Sequence, residues 1–246
     1  MSEEVALDIE TSEPLQSTLI LAFPGPGMAG VSANQYLIEQ LELVETGHIQ
    51  AEGLPSITPY ENGRPYHHTR LFSEPEIPCT FLTSELPIPL QLSEPFGRIL
   101  LEWLDESTVD EVTLLTAIPG LDSNRDLFYV ASDDYYDRRL DGTDVSPLKG
   151  GFLTGVNASL IARAIDTSLR VGVLSTPVNP RHPLDGEAAL RLVNGMNELY
   201  DFEADTTQLR DFADRTREHY EQLATRVQAQ QQPSGRRPLT EDYGFM

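Results

Sequence analysis

Ser17-Thr18-Leu19-Ile20-Leu21-Ala22-Phe23 leads directly into Pro24-Gly25-Pro26-Gly27-Met28-Ala29-Gly30. The first seven residues are nearly all apolar and do not alternate with polar ones. Such a run reads as a strand covered on both faces, as in a parallel sheet. Beyond the glycine-proline turn, Met28, Val31, Leu37, Ile38 and Leu41 recur at helical spacing, which predicts a helix to about Glu42. A buried strand feeding a helix through a tight turn is the opening unit of an α/β fold.

The rest of the chain repeats that alternation. Strands are predicted at residues 43–49, 69–73, 77–83, 111–118, 127–132 and 170–175. Pro55, Pro59, Gly63 and Pro65 break residues 53–70 into a loop or hairpin. Ser93 is a candidate cap for a helix through Leu100 and Leu104, and Asp133 or Asp134 for a short helix over 133–140. Gly150-Gly151 opens a helix through Val156, Leu160 and Ile165. Asp185 caps one with Leu192, Val193 and Met196 inward. Asp205-Thr206-Thr207-Gln208 has the form of a capping box and opens a last helix to about residue 228. These elements predict a mixed, largely parallel sheet flanked by helices. The expected organisation is a flexible N-terminus (1–16), a single α/β domain (17–228) and a flexible C-terminal tail (229–246), with no internal repeat.

Composition narrows the function classes. The formal charge is −22, and of 17 basic residues only Lys149 is a lysine. A phosphate backbone or an anionic membrane needs a basic surface, so neither nucleic acid nor membrane is an expected partner. Many carboxylates with almost no lysine suit molar salt, where the Debye length falls to about 3 Å, so a halophilic source is expected. No apolar run approaches a membrane span. The acidic start Met1-Ser2-Glu3-Glu4 is unlike a secretory leader, and Cys79 is the sole cysteine, which together predict a cytoplasmic protein.

The Gly25-Pro26-Gly27-Met28-Ala29-Gly30 stretch spells Gly-x-Gly-x-x-Gly after a strand and before a helix. Two readings stand. It can cradle a pyrophosphate on helix N–H groups, or it can be a tight turn in which glycines permit close packing. Pro26 removes one N–H, and no second βα nucleotide unit follows. Glu85, just past a strand, and Asp185, past a later strand and its loop, are acids at the end of the sheet where ligand crevices form. Gly25, Gly27, Met28, Glu85 and Asp185 are therefore the candidate crevice, although Glu85 also suits a loop anchor and Asp185 a helix cap. The histidines are spread over separate elements, with His67 and His68 pointing to opposite faces, so no metal site is expected. Cys79 lies in an apolar strand and reads as core. No cofactor and no catalytic set are predicted. The chain ends Thr240-Glu241-Asp242-Tyr243-Gly244-Phe245-Met246, an aromatic ending beyond a polar stretch, of the kind that docks in a partner's pocket.

Several of these segments together resemble the proteasome assembly chaperone family of archaea and actinobacteria. They are Leu19-Ile20-Leu21-Ala22-Phe23-Pro24-Gly25-Pro26-Gly27, Ser84-Glu85-Leu86-Pro87-Ile88-Pro89, Gly150-Gly151-Phe152-Leu153-Thr154-Gly155 and Asp185-Gly186-Glu187-Ala188-Ala189. The resemblance implies a fold akin to nucleoside phosphorylases, homo-oligomerisation, no catalytic residues, and contact with proteasome α-subunits through a terminal hydrophobic-Tyr-x tripeptide. Here the last three residues are Gly244-Phe245-Met246, with Tyr243 one place early. Tyr243, Phe245 and Met246 are the contacts implied.

Overall fold

A computed structural model describes residues 6–120, 127–180 and 182–231. The expectations placed on Tyr243, Phe245 and Met246 lie outside the described residues.

The predicted first strand is β2 (Thr18–Ala22), all five residues buried. It leads through one 3-10 turn (Pro26–Met28) into α1 (Ala29–Gln40). β2 pairs in parallel with β7 (Cys79–Ser84) and β8 (Glu111–Pro119), and β8 pairs in parallel with β11 (Arg170–Val178). These four central strands all point one way. The flanks are mixed: β6 (Thr69–Ser73) runs antiparallel to β7, and β3 (Val44–Glu52) antiparallel to β6. On the other side β9 (Phe128–Ala131) runs antiparallel to β11, and the two-residue β10 (Ser146–Pro147) lies parallel to β9. A small hairpin, β4 (Tyr60–Glu61) with β5 (Arg64–Pro65), occupies the proline-rich segment.

The ninth strand of the sheet corrects an expectation. β1 (Ala6–Thr11) pairs antiparallel with β3 along its whole length, so the N-terminal flexibility expected for residues 1–16 does not hold over 6–11. Leu7 and Ile9 pack against the core while Asp8 and Glu10 alternate toward solvent. That is the pattern of an edge strand with one wet face.

Helices cover both faces. Helix α1, α5 (Gly186–Tyr200) and α6 (Thr207–Gln231) pack on one side, over Ile20, Phe81 and Leu115. On the other, α2 (Leu90–Asp105) and α4 (Gly155–Ile165) lie over Leu19, Leu82 and Val112. The predicted helix at 133–140 is a single turn, α3 (Asp133–Tyr135), continued by a π-helical turn (Tyr136–Leu140), and Ser132 occupies the N-cap position. Ser93 is not the cap of α2. The helix begins a turn earlier with Pro89 at the N-cap, because burial of Leu92 draws that turn onto the sheet, and Ser93 Oγ donates back to the Pro89 carbonyl at 3.1 Å. Asp185 does cap α5, accepting the Ala188 N–H at 3.0 Å. Asp205 accepts the Thr207 N–H at 2.9 Å at the head of α6.

Candidate functional site

Because β2, β7, β8 and β11 are parallel, their carboxyl ends gather at one end of the sheet, where α/β proteins bind ligands. The glycine turn after β2, the segment after β7 and the loop after β11 all open there.

The turn is built for packing. Gly27 and Met28 take left-handed backbone angles (φ 62° and 51°), and the Met28 N–H is donated to the Gly25 carbonyl at 3.0 Å. A Cβ on Gly27 would stand 3.0 Å from Asp185 Cβ and 3.2 Å from Val178. One on Gly30 would come within 2.2 Å of the Leu115 carbonyl oxygen, a distance that no side chain tolerates. The Gly27 carbonyl accepts the Asp185 N–H at 2.9 Å. The structure therefore brings Gly27 and Asp185 together. With Pro26 lacking an N–H and Met28's already donated, the turn has few donors left for an anion. The neighbouring Asp185 carboxylate opposes one further.

Glu85 faces elsewhere. Its two oxygens take the Arg70 guanidinium (3.2 Å) and the Tyr66 hydroxyl (3.0 Å), on the side of β7 away from β2. Arg70 in turn lies over the Tyr66 ring at 4.3 Å and reaches Glu45 at 3.5 Å. Burial, then the hydrogen bond to Glu85, pushes the Tyr66 phenol up from its ordinary range. This cluster anchors the hairpin segment to the sheet.

The histidines are closer than their spacing in sequence suggested. The rings of His48 and His67 stack 3.6 Å apart, nearly parallel, and His182 stacks on Tyr220 at 4.0 Å. Strand pairing brings β3 beside the segment before β6, a contact that no local pattern announces. Among the described residues no group of three or more His, Cys, Asp or Glu is placed to hold a metal. Cys79 is buried, and burial pushes its thiol up to about 12.

One polar centre escaped the sequence reading altogether. Glu111, the first residue of β8, is fully buried at the opposite, amino end of the strands. Its oxygens meet Arg139 Nε at 2.8 Å, Arg138 Nε at 3.0 Å and Arg170 Nε at 3.4 Å, and Tyr200 donates its hydroxyl at 3.0 Å. The Arg139 and Tyr200 contacts have hydrogen-bond geometry, while Arg138 and Arg170 neutralise Oε2 as close charges. Thr113 extends the network to Tyr135 and Tyr200, and Arg139 covers the Tyr200 ring at 4.2 Å. Burial pushes Tyr135 up to about 12 and raises Tyr200 strongly. Arg138 and Arg139 come from the π turn after α3, Arg170 from β11 and Tyr200 from α5, so the cluster ties all three to β8. It has the character of a buried structural tie.

No curated protein sequence matches the chain. Among solved structures it is similar to PbaA of Pyrococcus furiosus, an archaeal homolog of proteasome-assembly chaperone. The two share 19% identity and a TM-score of 0.78, over 91% of this chain and 93% of that one. It is also similar to PbaB of the same organism, an archaeal proteasome activator, at 16% identity and a TM-score of 0.75, covering 91% of this chain and 100% of that chain. A PAC2 family protein of Streptomyces avermitilis matches at 20% identity and a TM-score of 0.65, over 84% and 95% of the two chains. The sequence profile of the PAC2 family matches residues 19–224, from the first buried strand into the last helix. The chain belongs to the PAC2 family.

Proposed function

We propose that this chain is a proteasome assembly chaperone-like protein of the cytoplasm. It binds proteasome α-subunits, or the assembled particle, as a homo-oligomer. The observation that carries the reading is the PAC2 match over residues 19–224, together with likeness across nine-tenths of the chain to PbaA and PbaB. In this reading Tyr243, Phe245 and Met246 make the contact. Oligomerisation supplies several tails at once, which raises a weak single-tail affinity. The acid-rich, lysine-poor composition fits work in a halophilic, archaeal cell.

The test is a pull-down in high salt with the full chain and with one lacking residues 241–246. Recovery of α-subunits by the full chain alone is the expected result. Recovery with both moves the contact from the tail to the folded domain, and recovery with neither defeats the proposal. A small-molecule site at Gly25, Gly27, Met28 and Asp185 is the second reading, favoured by the adjacency of Gly27 and Asp185. It draws less support, because Gly27 and Gly30 are accounted for by packing and the Glu85 carboxylate is held by Arg70 and Tyr66.

A further inference from the structure

Three segments that meet at the carboxyl end of the sheet share an unusual composition. Residues 53–60, 86–93 and 145–165 contain no Asp or Glu. At the chain's average of 39 acids in 246 residues, the 21 residues of the longest segment would carry about three. Acid-free stretches inside buried strands need no explanation. Each of these three segments carries exposed residues, Ser56 and Ile57 in the first, Pro87 and Leu90 in the second, Gly151 and Phe152 in the third.

Each segment sets apolar side chains against the core and shows others to solvent. Leu54, Ile88 and Leu153 all pack against the core cluster beneath α2 and α4. Their neighbours stand out: Phe152 is 99% exposed, Tyr60 75%, Leu90 66% and Ile57 53%. The segments are tied to one another. A Cβ on Gly155, at the start of α4, would stand 3.7 Å from Ser93 Oγ in the first turn of α2, and Ser159 donates to the Ser93 carbonyl. The hairpin is held to the end of β7 through Tyr66, which binds Glu85 by its hydroxyl and the Pro59 carbonyl by its N–H. The opposite end of the sheet contrasts sharply. Its turns carry Asp105, Glu106, Asp110, Asp166, Asp201 and Glu203, all exposed.

We infer that the acid-poor end, centred on Phe152 and Leu90, is where a second copy of this chain docks, face to face about a twofold axis. This locates the self-association assumed in the proposed function and rests on it. Two chains of −22 can approach at this end on Phe152, Leu90, Tyr60 and Ile57, with the exposed carboxylates that flank these segments, Glu52, Glu61 and Glu94, kept to its margin, and burying those four side chains favours association. A twofold contact uses the same patch on both copies. The rim carries both signs, Lys149 and Arg64 against Glu61 and Glu94, so each copy can set its cations against the other's acids. The acidic ends then point outward into solvent.

The test uses the full chain in high salt, with mass measured by light scattering. The wild type is expected to be oligomeric. A Phe152→Asp, Leu90→Asp variant is expected to halve the measured mass, while Ile165→Asp, at the acidic end of α4, leaves it unchanged. Circular dichroism and thermal melting show that each variant folds. Phe152→Cys is expected to form a disulfide between copies on mild oxidation and Ile165→Cys is not; buried Cys79 does not interfere. A monomeric wild type, an unaltered mass for the double variant, or cross-linking at Ile165→Cys in place of Phe152→Cys would each overturn the inference. A chain that captures α-subunits but fails these tests defeats this face and leaves the proposed function standing. One that cross-links at 152 and captures nothing does the reverse.

Discussion

The two ends of the central strands solve opposite problems. At the amino ends, Glu111 is sealed in with Arg138, Arg139 and Arg170, and exposed acids crowd the surrounding turns. At the carboxyl ends residues 53–60, 86–93 and 145–155 carry no acid, glycines let backbones touch, and apolar side chains stand in water. One end spends its charge on internal order and solvation. The other keeps its charges, Glu61, Arg64, Glu94 and Lys149, around an apolar centre. In a chain this acidic, a surface without carboxylates says more than one with them, because solvation alone would fill it.

The sharpest way to break the comparison is at Glu111. Glu111→Ala leaves Arg139 and the Tyr200 hydroxyl without that carboxylate beside an empty site, and removing one partner of a buried charge network costs about 3–5 kcal/mol. Chemical denaturation is expected to show a loss of that size, and a loss under about 1 kcal/mol would mean the cluster is not a structural tie. Next comes Gly30→Ala at the other end. A Cβ at 2.2 Å from the Leu115 carbonyl forces α1 off β8, a strain of about 1–3 kcal/mol by the usual cost of overpacking. The melting temperature reads it, and the paired Gly150→Ala, in open space, is expected to leave the melt nearly unchanged.

The strands that the sequence made plain were those buried on both faces, β2 and β8 above all, since an unbroken apolar run has few other uses. β1 was harder. Ala6-Leu7-Asp8-Ile9-Glu10-Thr11 does alternate, but its acids match the composition of a solvated terminus, and its partner β3 lies some forty residues on. The glycine turn was legible as a turn, and its two uses were separated only when Leu115 and Asp185 were found against it. Glu111 gave no local sign of its role: a single acid at the head of a strand looks like a strand boundary. Its arginines come from other elements, and only the assembled sheet brings them to it. The stacked pair His48 and His67 was hidden for the same reason.

Smaller effects sharpen the contrast. Tyr135 ionises at about 12 in the folded chain, above the ordinary 10, because burial opposes the phenolate. The unfolded chain loses that proton first. Its contribution is therefore complete below pH 10 and declines as pH climbs from 10 toward 12, so denaturation midpoints are expected to fall across that window. Tyr135→Phe, which cannot ionise, is expected to flatten the fall. Smallest of all, Glu106→Gln with Asp166→Asn at the acidic end removes repulsion between exposed charges. A gain of a few tenths of a kcal/mol is expected at low salt and none in molar salt, read from denaturation curves at both ionic strengths.

The most direct test is hydrogen–deuterium exchange on the full chain, concentrated in high salt and then diluted until it dissociates. Added protection in the concentrated sample at residues 53–60, 86–93 and 150–155, with the turns at 105–110 and 201–205 unchanged, is the expected result. Protection that appears at those acidic turns instead, or nowhere, would contradict the assignment of the acid-poor end as the docking face.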